Sequence, residues 1–146
     1  MEFIAKKFEE LTPAEVYELL KARSIIFQLE QKIQYLDMDD VDYRSVHCFL
    51  WDNGHVTAYL RAYPVEDDPN AVKVGRALTL NHGNGTGREL MQRSIPAIIR
   101  MMHCKKICMD AQKYAVGFYE KFGFITVSDD FLEEGIVHAA MELSVE

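Results

Sequence analysis

The sequence predicts a mixed α/β domain of the α+β kind: an antiparallel meander, then strand–helix–strand–helix, then a terminal hairpin. Three observations carry that expectation. Two alternating runs flank Asn53-Gly54 in "SVHCFLWDNGHVTAYLRAY", and a dipeptide of that type suits a two-residue hairpin turn. Two other stretches, "LTPAEVYELLKARSIIFQLEQ" and "TGRELMQRSIPAIIRMMH", repeat apolar residues at helical spacing. The chain has 146 residues, 49 % of them apolar and 27 % charged, which is the size and balance of one domain spanning residues 1–146 with a buried core.

The elements follow in order. "FIAKKF" reads as a short first strand. Thr12 is a good N-cap, Pro13 fits the first helical position, and Glu15 completes a capping box. Val16, Leu19, Leu20, Arg23 and Phe27 then recur at helical spacing. "KIQYLDMDDVD" is an acidic loop, with a short second helix as the alternative. After the Asn53-Gly54 hairpin, "PVEDDPN" is a second turn, and "AVKVGRALTL" is a third strand ending at the glycine loop. In the helix that follows, Leu90, Ser94, Ile98 and Met102 share a face. Pro96 removes one of its backbone hydrogen bonds, so a kink or break is expected there. "KKICMDAQ" is a strand, and "YAVGFYEKF" is a short helix closed by Gly123. "FITVS" and "GIVHAAMELS" are two last strands around a turn at "DDFLEEG".

Charge narrows the function. The net charge is −7, and Lys and Arg are scattered without a basic patch, so a phosphate backbone would be repelled and nucleic acid is not an expected partner. Cys48, Cys104 and Cys108 make an odd count, as in a cytoplasmic protein with reduced thiols. His47-Cys48 and His103-Cys104 lack the spacing of a metal site, so no metal is expected. "MEFIAKKFEE" is too charged for a signal peptide, and no apolar run reaches membrane length.

The stretch "NHGNGTGREL" places Gly83, Gly85 and Gly87 at the entrance to a helix. A helix start carries unpaired N–H groups and partial positive charge, and glycines let the backbone approach a ligand closely. Together they suit an anion, typically a phosphate, although a tight turn alone would explain the same residues. A P-loop needs Lys and Ser or Thr after its last glycine, whereas Arg88-Glu89 follows here. A dinucleotide fold would use G-x-G-x-x-G in a parallel sheet, with an acid such as Asp110 on the ribose. Antiparallel strands before the loop and about sixty residues after it leave no room for that fold.

"HGNGTGREL", followed by "YAVGFYEKFGF", resembles the two cofactor motifs of the GNAT superfamily of acyl-CoA-dependent N-acyltransferases. "KARSIIFQLEQKIQYLDMDDVD", "HCFLWDNGHVTAYLR", "GRALTL" and "GFITVSDDFLEEGIVHAAM" resemble segments of its ElaA-like branch in the same order, across nearly the whole chain. The resemblance implies a GNAT fold: a strongly twisted, mixed, mostly antiparallel sheet flanked by helices, with central strands splayed to admit a pantetheine arm. It implies acetyl-CoA (coenzyme A) held by Leu78, Thr79 and Leu80 on the strand and by His82, Gly83, Asn84, Gly85, Thr86, Gly87 and Arg88 in the loop. Gln112 stands where the family commonly has an Asn or Gln near the cofactor. His82 departs from the Arg or Gln that usually begins the family's loop.

The implied reaction moves an acetyl group to a primary amine of a small molecule or peptide by direct attack in a ternary complex. Tyr119 matches the family's frequent general acid and also adjoins the cofactor; the alternative is a packed helical aromatic. Glu30, Gln31, Tyr35 and His138 map to the acceptor side. Glu30 and His138 could each accept an amine proton, or serve as a solvated helix end and a hydrogen-bonded strand histidine. Asp37, Asp39, Asp40 and Asp42 would either steer a cationic amine or form a solvated acidic loop. A CoA-binding module without turnover and a nucleotide-binding protein of another fold are the competing readings. A homodimer is an open alternative, because terminal strands pair between subunits in some members of the family.

Overall fold

The structure is a computed structural model and describes residues 1–145. The chain opens with β1 (Glu2–Lys7), a 3₁₀ turn at Phe8–Glu10, and α1 (Pro13–Arg23). The capping box forms: Glu15 N donates to Thr12 Oγ1 at 3.1 Å, and Thr12 N donates to Glu15 Oε1 at 2.8 Å. The helix then widens into a π-helical stretch, Ser24–Glu30, closed by Gln31 N donating to Ile26 O at 2.9 Å. Each π-helical residue turns through less angle than an α-helical one. Glu30 and Gln31 therefore leave the face that a 3.6-residue period assigns them.

The meander follows as β2 (Val46–Asp52), β3 (His55–Val65) and β4 (Asp68–Thr79). Asn53 and Gly54 both have positive φ, 53° and 78°, as the predicted two-residue turn requires. β1 pairs with β2, so the antiparallel run before the glycine loop has four strands. α2 (Thr86–Met102), β5 (Lys106–Gln112) and a short α3 (Val116–Glu120) come next, and Gly123 ends the last helix at φ 98°. Pro96 does not break α2. Both Pro96 and Gln92, whose carbonyl loses its intrahelical partner, are exposed, so water satisfies that oxygen.

The chain ends with β6 (Ile125–Thr126), β7 (Phe131–Glu133) and β8 (Ile136–Ser144). β7 corrects the sequence reading, which made all of "DDFLEEG" a turn. The turn is only Glu134-Gly135, at φ 53° and 78°. The sheet order is β1-β2-β3-β4-β5-β8-β6, with β7 also on β8. Among the described residues only β4 and β5 pair in parallel. Among the described residues no helix is long and apolar enough to cross a membrane.

Strand alternation assigns the two faces. Cys48, Leu50 and Leu60 face α2, where Leu90, Met91 and Ile98 are buried. Phe49, Val56 and Tyr59 face α1, against Leu19, Ala22 and Ile26. Each such aliphatic side chain contributes about 1.5–3 kcal/mol on burial.

Two irregularities open the sheet. Tyr59 pairs with Leu78 and Arg61 with Gly75, so β4 carries one extra residue, and Arg76 there sits at φ 53°. β4 and β5 are in register only from Ala71↔Lys106 to Val74↔Met109. Beyond the bulge β4 veers off, while β5 stays on β8 through Gln112↔His138.

Candidate active site

The gap between the parted strands is the base of a cleft of about 860 Å³. Its walls are the ends of β4 and β5, the start of α2, and α3; the π-helical stretch and the loop after it form the roof.

At one end lies the glycine loop. Gly83 and Gly85 have φ of 83° and 84°, a region that costs other residues about 1–2 kcal/mol. Asn84 Oδ1 accepts from Thr86 N at 3.2 Å and from Thr86 Oγ1 at 2.8 Å, which folds the loop onto the helix start. A Cβ on Gly87 would lie 3.4 Å from Thr79 Cγ2 and 3.5 Å from Phe118 Cζ. Gly87 thus lets α2 seat against β4 and α3. The amides of Gly87 and Arg88, at the second and third positions of a 17-residue helix, have no intrahelical acceptor. They present donors and partial positive charge to the cleft, and the exposed Arg88 adds a full one.

His82 bridges the two walls. Its Nδ1 is 3.2 Å from Thr79 Oγ1 and its Nε2 is 3.0 Å from Glu30 Oε1. Next to it Gln31 and Gln112 exchange amide hydrogen bonds, at 3.3 Å from Gln31 Nε2 and 3.0 Å from Gln112 Nε2. The roof is therefore tied to both splayed strands.

Tyr119 packs edge-on against Phe118 and Phe124, at centroid distances of 5.2 and 6.1 Å. Its hydroxyl forms no hydrogen bond among the described residues, and burial pushes the phenol up to about 12, so it stays protonated. His138 lies opposite Gln112 on β8. Its Nδ1–H donates to Ile136 O at 2.7 Å, and its ring stacks on Phe131 at 5.9 Å.

The acidic loop is neither free to steer nor merely solvated. Arg23, fully buried, donates from Nε to Asp37 Oδ2 at 2.8 Å and from Nη1 to Asp42 Oδ1 at 2.7 Å. Arg61 donates from Nη1 to Asp42 Oδ1 at 2.9 Å and from Nη2 to Asp39 Oδ2 at 2.6 Å. Arg76 donates from Nε to Asp37 Oδ1 at 2.9 Å. Three arginines thus neutralise three aspartates and pin the roof to α1, β3 and β4. The Arg61 hydrogen bond holds Asp39 down at about 2. Burial alone would raise the Asp42 carboxyl, but Arg23 and Arg61 outweigh it and the net shift is downward. Beneath them burial pushes the His47 pKa down; its neutral ring donates from Nε2 to Asp42 O at 2.9 Å and accepts from the Tyr59 hydroxyl at 2.7 Å.

Leu78, Thr79, His82, Gly83, Gly85, Thr86, Gly87, Arg88, Gln112, Tyr119, Glu30, Gln31, Tyr35 and His138 all line this one cleft. Leu80 and Asn84 do not: Leu80 packs toward the α1 core, and Asn84 shapes the loop. The sequence reading missed Arg61, Arg76, Glu133 and Glu134 in the lining. The arginine network had one visible sign, Arg23 on an otherwise apolar helix face beside a run of aspartates.

A mixed sheet parted beside a bulge, with the free amides of a helix start at the parting, is the architecture shared with acyl-CoA N-acyltransferases. Comparison with known proteins agrees. A family model described as "Acetyltransferase (GNAT) domain" matches residues 78–145. A UPF0039 protein of Schizosaccharomyces pombe is 32 % identical over 99 % of this chain and 98 % of its own length. ElaA of Escherichia coli is 31 % identical over 93 % of this chain and 92 % of its own. The crystal structure of that ElaA superposes with a TM-score of 0.90 at 29 % identity, covering 98 % of this chain and 99 % of the other. An acyl-CoA N-acyltransferase from Pseudomonas aeruginosa superposes with a TM-score of 0.91 at 29 % identity, covering 99 % of this chain and all of the other. The chain belongs to the GNAT superfamily, in its ElaA-like branch.

Proposed function

We propose that residues 1–146 form one catalytic unit, an N-acetyltransferase that moves an acetyl group from acetyl-CoA to a primary amine of a small molecule or peptide within a ternary complex. The observation that carries this reading is the joining, in one cleft, of a helix-start anion site, a parted strand and a protonated phenol. The residues present fit coenzyme A. The free amides of Gly87 and Arg88 suit a pyrophosphate, and the β4 segment from Gly75 to Thr79 has no strand on its β5 side to compete for its backbone groups.

The donor supplies an activated thioester. The Leu80 N–H is given to Thr57 O at 2.9 Å, so the neighbouring Thr79 N–H, on the strand edge away from β3, serves the developing oxyanion. Overall an ammonium loses two protons: one goes to a base and on to solvent, and one ends on the departing thiol as the C–N bond forms and the C–S bond breaks. Tyr119 gives the thiolate its proton and regains one from the attacking nitrogen. In water a phenol near about 10 is a weak donor to a thiolate near about 8.5. Burial raises the Tyr119 phenol further, and desolvation raises the basicity of a thiolate in the same direction, so a leaving group kept from water beside Tyr119 is the better matched acceptor.

The test is thermal unfolding with acetyl-CoA, CoA and ATP, followed by thiol release with an amine panel. A ligand of the native state at about a hundred times its Kd adds roughly 2.7 kcal/mol. Stabilisation by acetyl-CoA and CoA but not ATP, with amine-dependent thiol release, is the expected result. No shift at millimolar acetyl-CoA would overturn the reading, and binding without release would leave a CoA-binding module.

A further inference from the structure

The ends of the cleft differ in charge. Most of its carboxylates are matched. Asp37 and Asp39, with Asp42 behind the lining, are met by Arg23, Arg61 and Arg76. Asp110 is met by Lys73 Nζ at 2.7 Å, and Glu30 is tied to His82 by a hydrogen bond at 3.0 Å, a match of charge only with that ring protonated. Glu133, the last residue of β7, and Glu134, the first of the β7–β8 turn, remain, and both line the cleft. Among the described residues neither makes a hydrogen bond or has a Lys or Arg within ion-pair distance; Glu133 feels the Lys73 charge only at longer range, and that lysine is bonded to Asp110. The surplus positive charge, Arg88, lies at the far end in the first turn of α2.

His138 stands beside the surplus carboxylates and is only 6 % exposed. Because its Nδ1–H is committed to Ile136 O at 2.7 Å, the neutral ring's lone pair is on Nε2. That nitrogen has no hydrogen-bond partner among the described residues; Glu133 Oε2 is 3.6 Å away. Nε2 is not sealed in the wall: it opens onto the cleft as an acceptor that can take a donor from a ligand. Phe131 on one face and the Ile136 carbonyl on Nδ1 fix the ring's orientation.

We infer that His138, Glu133 and Glu134 form the acceptor subsite and that the acceptor is a diamine or polyamine. This inference rests on the acyltransferase reading above. One ammonium donates to His138 Nε2 and loses its first proton there; Glu133 then faces the imidazolium. A second ammonium sits against Glu134. A simple monoamine would use only half of this arrangement. A free amino acid would bring its own carboxylate against the two glutamates and be repelled.

The experiment compares 1,5-diaminopentane with pentylamine, which has the same carbon chain and one cation fewer. Thiol release gives kcat/KM for each, and ¹⁵N shifts of the His138 ring are followed as each amine is titrated into the CoA-loaded protein. The expected result is a diamine preference of about tenfold or more, with the Nε2 resonance moving. Glu134→Gln should collapse that preference toward one. Glu133→Gln should lower kcat for both amines, because the carboxylate facing the imidazolium is gone. Equal kcat/KM for the two amines, or a preference untouched by Glu134→Gln, would overturn the acceptor class. A silent His138 ring would overturn the subsite. Diamine binding at His138 with no thiol release from any amine would sink the transfer reading and leave the cation site standing.

Discussion

Arg23→Met should be among the most damaging single substitutions outside the cleft's own chemistry. Arg23 has no exposed surface and its guanidinium reaches Asp37 Oδ2 at 2.8 Å and Asp42 Oδ1 at 2.7 Å. Methionine fills much of the same channel between Tyr59 and α1, so lost packing is the smaller part. The larger part is two carboxylates left with one arginine fewer, Asp42 deeply so. Breaking one side of a buried pair costs about 3–5 kcal/mol. For 146 residues the unfolding entropy is about 0.3 kcal/mol/K. The midpoint should therefore fall by roughly 10–15 °C in differential scanning calorimetry. Asp42→Asn supplies the control. It should cost clearly less in the Arg23→Met background than in the native one, since the charge it removes is already mismatched. A midpoint drop under about 3 °C, or equal costs in both backgrounds, would refute the view that this network holds the roof.

Acid should attack the same network. Asp39 is held at about 2 by Arg61, and Asp42 is also lowered. A depressed native pKa gives stability that is present above the unfolded value, near 4, and is lost as pH falls through the native one. Denaturant midpoints should thus drop between about pH 4 and pH 2, and a flat profile across that window would contradict it. Tyr119→Phe should lower kcat by about 10²-fold or more while shifting stability by less than about 0.5 kcal/mol, because the hydroxyl holds no protein partner; stopped-flow thiol release and calorimetry read the two effects. Gly85→Ala meets open space but imposes φ 84° on a side chain, so it should cost about 1 kcal/mol. It should also weaken acetyl-CoA binding in a thermal-shift titration, and an unchanged affinity would remove the loop from the binding site.

Local chemistry was readable in the sequence where it is also local in space. The Thr12–Glu15 box, the Asn53-Gly54 turn and the Gly83–Gly87 helix entrance each involve neighbours along the chain, and each appeared. What the residues alone did not disclose depends on distant partners. The bulge puts a non-glycine, Arg76, at φ 53°, and no local residue preference announces it. Arg76 holds that conformation while its guanidinium grips Asp37, thirty-nine residues away in sequence. The aspartates read as a surface because their three arginines are spread over α1, β3 and β4. β7 was lost because "FLE" is too short for alternation to register, and its partner strand comes after it. The resemblance to a known family supplied the cleft's membership; Glu133 and Glu134 fell outside it because only the charge ledger of the folded cleft singles them out.

Parting β4 from β5 gives the sheet something rare, an edge in its own middle. Edges invite other chains, and proteins usually blunt them with charge or bury them at a rim. Here α3 and the start of α2 stand over one side of the slot and the roof over the other, so a second polypeptide is walled off while a slender arm with amide groups can still enter. Such an arm would be read by the ladder as one more strand, register and all. Selectivity for the donor then begins before any side chain takes part, in the width of a gap that the backbone keeps open.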